Sequence, residues 1–161
     1  MRKPPARLLE IGLALAVIVL DQVTKALVRR DLPLYETHEI IPGLLALVHG
    51  RNRGMAFGFL SGGGLPAQAA VLAVLSGGVL LLVLSHWRRL AGGPVLLRTA
   101  LSLVAGGAVG NLIDRVRLGY VTDFVHVYWH HHQWPDFNVA DSAITVGIVL
   151  LLVDAVRSRP E

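Results

Sequence analysis

The chain reads as an α-helical integral membrane protein, with four transmembrane helices and a small extracytoplasmic β-sheet between the first and second. Three observations carry that reading. Of 161 residues, 53% are apolar and 16% charged, against about a quarter charged in soluble domains, and mean hydropathy is +0.58. Apolar runs close to the roughly 20 residues that a bilayer crossing needs recur four times. Between the first two lies a 37-residue stretch, 29–65, too polar to cross and too long for a plain turn. Four crossings and their connections use nearly the whole chain, so one membrane-embedded domain over 1–161 is expected.

The first helix, about 7–28, begins in "MRKPPARLLEIGLALAVIVLDQVTKALV" with a basic leader and an apolar run, like a secretory signal peptide. A cleavable signal closes with small residues. This run continues into Asp21, Gln22 and Lys25 instead, so it reads as an uncleaved span. In the stretch that follows, "THEII" and "LLALVHGRN" flank Pro42-Gly43 and read as short strands around a turn, lying on the membrane surface. "SGGGLP" links them to the second helix, about 66–85. The third helix is expected at about 95–113 and the fourth at about 138–156.

Basic residues divide eight to seven between the two sides of this topology, so their count alone does not orient it. The acids do separate. Only Glu10, Asp154 and Glu161 accompany the eight cations, and the leader carries three cations before the first span. Both termini are therefore placed in the cytoplasm. The computed pI near 10.1 does not imply nucleic acid, because Lys and Arg are scattered between apolar runs and form no stripe. With no cysteine, disulfides, thiolate metal sites and cysteine nucleophiles are excluded, and the redox compartment cannot be read.

On this topology the polar clusters converge on one non-cytoplasmic layer: "DQVTK", "GRNRGMAF", "GNLIDR", "VTDF" and "FNVADS". Asp21 and Lys25 stand four apart in the favourable order for a helical ion pair, which neutralises itself or supports a site. Asn111, Asp114 and Arg115 share one face at the end of the third helix, behind the close-packing surface of Gly106, Gly107 and Gly110. They read either as a helix-end hydrogen-bond cluster or as part of a site. Asn138 and Asp141 have the spacing of a helix cap, the acid three residues in, and on that segment alone a cap is the simpler reading.

Asp123 has no such explanation. It stands in apolar "YVTDFVHVY", in what reads as a loop, and caps no recognisable helix. If it meets Asp141 at the membrane surface, the two carboxylates share a proton, and such a pair can hydrolyse an amide. The histidines in "HVYWHHHQW" invite a metal reading. Three consecutive side chains, His130, His131 and His132, diverge on any regular backbone, and no HExxH helix is present. No metal site is expected, and Tyr128, Trp129 and Trp134 fit an interfacial aromatic belt. Asp136 reads as an exposed loop acid.

In this order the clusters resemble the lipoprotein signal peptidase family, signal peptidase II, four-helix intramembrane aspartyl proteases of bacteria. The resemblance runs from Asp21 and Lys25, through Asn52, Gly54 and Ala56 in "NRGMAF", to Gly107, Asn111, Asp114 and Arg115. It closes with Asp123 in "GYVTDF" and with Phe137, Asn138, Ala140 and Asp141 in "FNVADS". It implies that Asp123 and Asp141 are the catalytic dyad, overturning the cap-only reading of Asp141. It also implies the substrate, a prolipoprotein signal peptide cut just before a diacylglyceryl-modified cysteine. Asn52, Gly54, Asn111, Arg115 and Asn138 would then bind or position substrate and dyad, with Asp21, Lys25 and Asp114 as structural support. Met55 and the "HHHQW" insert depart from the family pattern and bear on substrate preference.

The expected protein is a monomeric, multi-pass aspartyl endopeptidase of the bacterial inner membrane, in contact with lipid, without metal or soluble cofactor, its site near the non-cytoplasmic surface. The alternative is a small proton-coupled transporter. That function places acids near the bilayer midplane, often in repeated or broken helices, whereas here they crowd one edge and no repeat is visible. A purely structural membrane protein would leave Asp123 without a purpose.

Overall fold

The computed structural model describes residues 6–53, 78, 81 and 93–157. Gly54, Met55, Ala56, the "SGGGLP" link and nearly all of the expected second helix lie outside the described residues; Gly78 and Leu81, within that expected span, are helical. Three described helices are long and apolar enough to cross a membrane. They are α1 (Ala6–Asp31), α2 (Val95–Leu118) and α3 (Val139–Arg157).

Each outlasts the apolar run that announced it. The last turn of α1 carries Arg29 and Arg30, cations at the negative end of the helix dipole. In α2, "DRVRL" continues the helix to Gly119, whose left-handed φ of 75° and N–H bond to the Arg115 carbonyl at 3.0 Å close it. α3 begins one residue after Asn138, which is its cap.

α2 packs between α1 and α3 and is the most buried of the three, whereas α1 and α3 turn Leu15, Val19, Val149 and Leu152 outward. In lipid, association rests on close packing more than on hydrophobicity. The glycines of α2 allow that approach: a Cβ on Gly106 would lie 2.8 Å from the Ala14 carbonyl oxygen of α1, and one on Gly107 would collide with the Ala140 carbonyl oxygen of α3. At the same level a Cβ on Gly110 would come within 2.7 Å of Asp21 Oδ2.

A four-stranded antiparallel sheet, ordered β1-β2-β3-β4, sits at the Asp31 end of α1, the Leu118 end of α2 and the Val139 end of α3. β1 (Thr37–Ile41) and β2 (Leu45–Asn52) form the hairpin expected around Pro42-Gly43, with Gly43 at φ 77°. The other half corrects the sequence reading. The sheet is not confined to the stretch between the first two helices, because β3 (Val121–Trp129) and β4 (His132–Gln133) extend it, and Asp123 lies in a strand, not a loop. Val121, Val125, Val127 and the aromatics of "VTDFVHVYW" fit a pleated surface, and β2 supplies the partner edge.

The β2–β3 register slips between Leu47 and Gly50, placing Gly50 opposite Asp123. Such a bulge re-aims the side chains around it. Phe137 then returns along β3, its N–H donating to the Val125 carbonyl and its own carbonyl accepting from Phe124 and Val125, and this delivers Asn138 to the start of α3.

Candidate active site

Asp123, on β3, and Asp141, in the first turn of α3, are joined through one asparagine. Asn138 donates from Nδ2 to Asp123 Oδ1 at 2.7 Å, and its backbone N–H donates to Asp141 Oδ2 at 3.3 Å. In return the Asp141 N–H donates to Asn138 Oδ1 at 2.9 Å, so Asn138 and Asp141 form a reciprocal capping box. The cap reading and the site reading of Asp141 hold together, because a carboxylate has more acceptor positions than a cap uses. Its Oδ1 accepts from Asn111 Nδ2 at 2.7 Å.

The remaining oxygen of Asp123, Oδ2, accepts from Asn52 Nδ2 at 3.0 Å, so residues from β2 and the α3 cap fix this carboxylate. Asp123 is 4% exposed. Burial, then the nearby Asp141 carboxylate, push its pKa up to about 7, against the opposing hydrogen bonds from Asn52 and Asn138. Near neutrality this carboxyl can hold or release a proton, as acid and base catalysis requires. Arg115 stands within electrostatic reach of Asp141, Asp123 and Asp114.

Beneath the two carboxylates lies a buried ionic network. Lys25 and Asp21 are fully buried and pair at 2.8 Å; Lys25 Nζ also lies 3.4 Å from Asp114 Oδ2 and donates to Asn111 Oδ1 at 2.9 Å. Asp21 Oδ1 accepts from the Ala140 N–H at 3.0 Å, and Asp114 Oδ2 accepts from the Thr122 N–H at 3.0 Å. One lysine thus fixes the amide that holds Asp141, while its two acids hold the backbones of α3 and β3.

The geometry brings together Asp21, Lys25, Asn52, Asn111, Asp114, Arg115, Asp123, Asn138 and Asp141; Gly54 lies outside the described residues. Sequence reasoning assigned no role to Gln22, which donates to Asp21, Asp114 and the Gly110 carbonyl, or to Arg29, which donates to Thr122 Oγ1 at 3.0 Å. Gln22 carried a readable signal, since an uncharged amide beside Asp21 inside a span needs partners. Asp136 is also corrected. It is half-buried and pairs with His126 Nδ1 at 2.6 Å, because the β3–β4 hairpin folds residue 136 back beside residue 126. His130, His131 and His132 are exposed at the hairpin turn, and among the described residues no three His, Cys, Asp or Glu side chains converge as metal ligands.

Residues 13–157 match the family described as signal peptidase (SPase) II. The chain is 46% identical over 159 residues to the lipoprotein signal peptidase of Geobacter metallireducens, covering 98% of this chain and 95% of that one. It is 44% identical over 161 residues to that of Acinetobacter baumannii, covering 98% and 90%. Among solved structures it is similar to a bacterial membrane enzyme determined by the in meso method at 1.9 Å, with a TM-score of 0.81 and 30% identity over 93% of this chain and 94% of that one. The transporter alternative finds no support in these similarities.

Proposed function

The chain belongs to the signal peptidase II family, and from that premise we propose an aspartyl endopeptidase that removes signal peptides from bacterial prolipoproteins, with Asp123 and Asp141 as its catalytic pair. The observation that carries the aspartyl reading is the linkage of the two carboxylates through Asn138. One carboxyl of the pair holds the shared proton at the start and polarises the scissile carbonyl. The other, ionised, takes a proton from the attacking water. Collapse of the tetrahedral intermediate then breaks the C–N bond, and a proton from the pair goes to the leaving amine.

Asn52 and Asn111 hold the two carboxylates in place, and Arg115 stabilises their negative charge. Gly54 belongs to substrate binding by family resemblance. Side chains alone perform the reaction, without metal or soluble cofactor. The protein is placed in the inner membrane with both termini cytoplasmic and its site near the outer surface, a reading supported by the cation-rich leader and the scarcity of acids on the side of the termini. A cysteine anchored by diacylglycerol brings its preceding peptide bond to that depth. The protein acts as a monomer.

The test is cleavage of a purified diacylglyceryl-modified prolipoprotein by wild type, Asp123→Asn and Asp141→Asn, with and without chelator. Both folded variants are expected to lose about three orders of magnitude or more in rate, in line with removal of an acid–base group, and chelator is expected to change nothing. Normal cutting by either variant would overturn the dyad.

A further inference from the structure

On the sheet side of Asp123, away from the helices, lies a cleft of about 250 Å³ lined by Tyr35, Val48, Gly50, Arg51, Asn52, Asp123 and Asp136. Its polar walls are built. Asp136 Oδ1 is held by His126 Nδ1 at 2.6 Å, and the other oxygen, Oδ2, faces Gly50, where a Cβ would lie 3.6 Å from it. Among the described residues no group donates to that Oδ2. Arg51 also lines the cleft, its guanidinium stacked on the Tyr120 ring 4.7 Å from the centroid, and Asp136 is the acceptor held beside the reacting carboxylate.

An apolar signal peptide belongs among the helices, whereas the released chain leaves through the aqueous side, so a cleft beyond Asp123 meets residues that follow the cut. We propose that this cleft is the subsite for the residue immediately after the lipid-modified cysteine, and that Asp136, positioned by His126, selects side chains that donate hydrogen bonds or carry positive charge over acidic ones. An acidic side chain there faces Asp136 as a like charge, while lysine or asparagine supplies the missing donor. Gly50 keeps the floor of the cleft clear.

This inference rests on the dyad reading above, and the experiment separates the two. Prolipoproteins carrying Lys, Asn, Ala or Asp after the cysteine are cleaved by wild type, Asp136→Asn and Asp136→Lys, and kcat/KM ratios are compared within each enzyme. Wild type is expected to prefer Lys over Asp by about tenfold, the size of one charge-assisted contact. Asp136→Asn should bring that ratio close to one, and Asp136→Lys should reverse it. A purely structural role of Asp136 would scale all substrates alike and leave the ratios unchanged, and that result would overturn the subsite. If the dyad reading fails, the Asp123→Asn control cuts these substrates, whatever their ratios.

Discussion

Among the described residues outside the helices, Asp123 carries a large electrostatic consequence. Its carboxyl loses a proton near pH 3.8 in the unfolded chain and near 7 in the fold, so between those values the folded state binds the extra proton. Stability contributed by the protonated form is therefore present below about pH 4, declines through the window, and is gone above about 7. Wild type should lose unfolding temperature over pH 4 to 7 by more than Asp123→Asn, which cannot ionise, when both are melted in the same detergent. Parallel curves would remove Asp123 as the source of the slope. The identity of this residue was legible in sequence because nothing local explained an acid in "YVTDF". Its environment was not, since Asn52 and Asn138 reach it from 71 and 15 residues away.

At the scale of elements, the close contact of α2 with α3 is set by glycine. At Gly107 an added methyl meets the Ala140 carbonyl oxygen, a backbone atom that cannot turn aside as a side chain would. Gly107→Ala should cost about 1–3 kcal/mol, the usual penalty of overpacking. Gly12→Ala in α1, where among the described residues nothing lies within 4 Å of the new carbon, is the matched control and should be neutral or stabilising by up to about 1 kcal/mol in the same thermal or denaturant measurement. A neutral Gly107→Ala would mean that the helices separate at little cost. The three described spans were legible from hydropathy and length, and the β1–β2 hairpin from Pro42-Gly43. β3 was not, because Asp123 interrupts its β-branched and aromatic run, and a strand gains its backbone partners only from a distant edge.

For the whole molecule, the prediction concerns sidedness. The chain lacks cysteine, so single replacements report cleanly. His131→Cys, in the exposed β3–β4 turn, should react with a membrane-impermeant maleimide in intact spheroplasts, and Arg157→Cys at the end of α3 only after permeabilisation. Labelling of the Arg157→Cys variant from outside would overturn the proposed orientation. The sequence by itself determined the membrane class, the three spans that the structure describes and the polar clusters from which the site is built, because hydropathy and residue spacing are local properties that survive in one dimension. Only the tertiary structure decided which groups meet: that Asn138 caps α3 and joins two carboxylates at once, that Lys25 ties α1 to α2 beneath them, and that Asp136 turns back to His126. Those contacts cross long stretches of chain, and their geometry is set by helix packing, a strand bulge and a returning loop together.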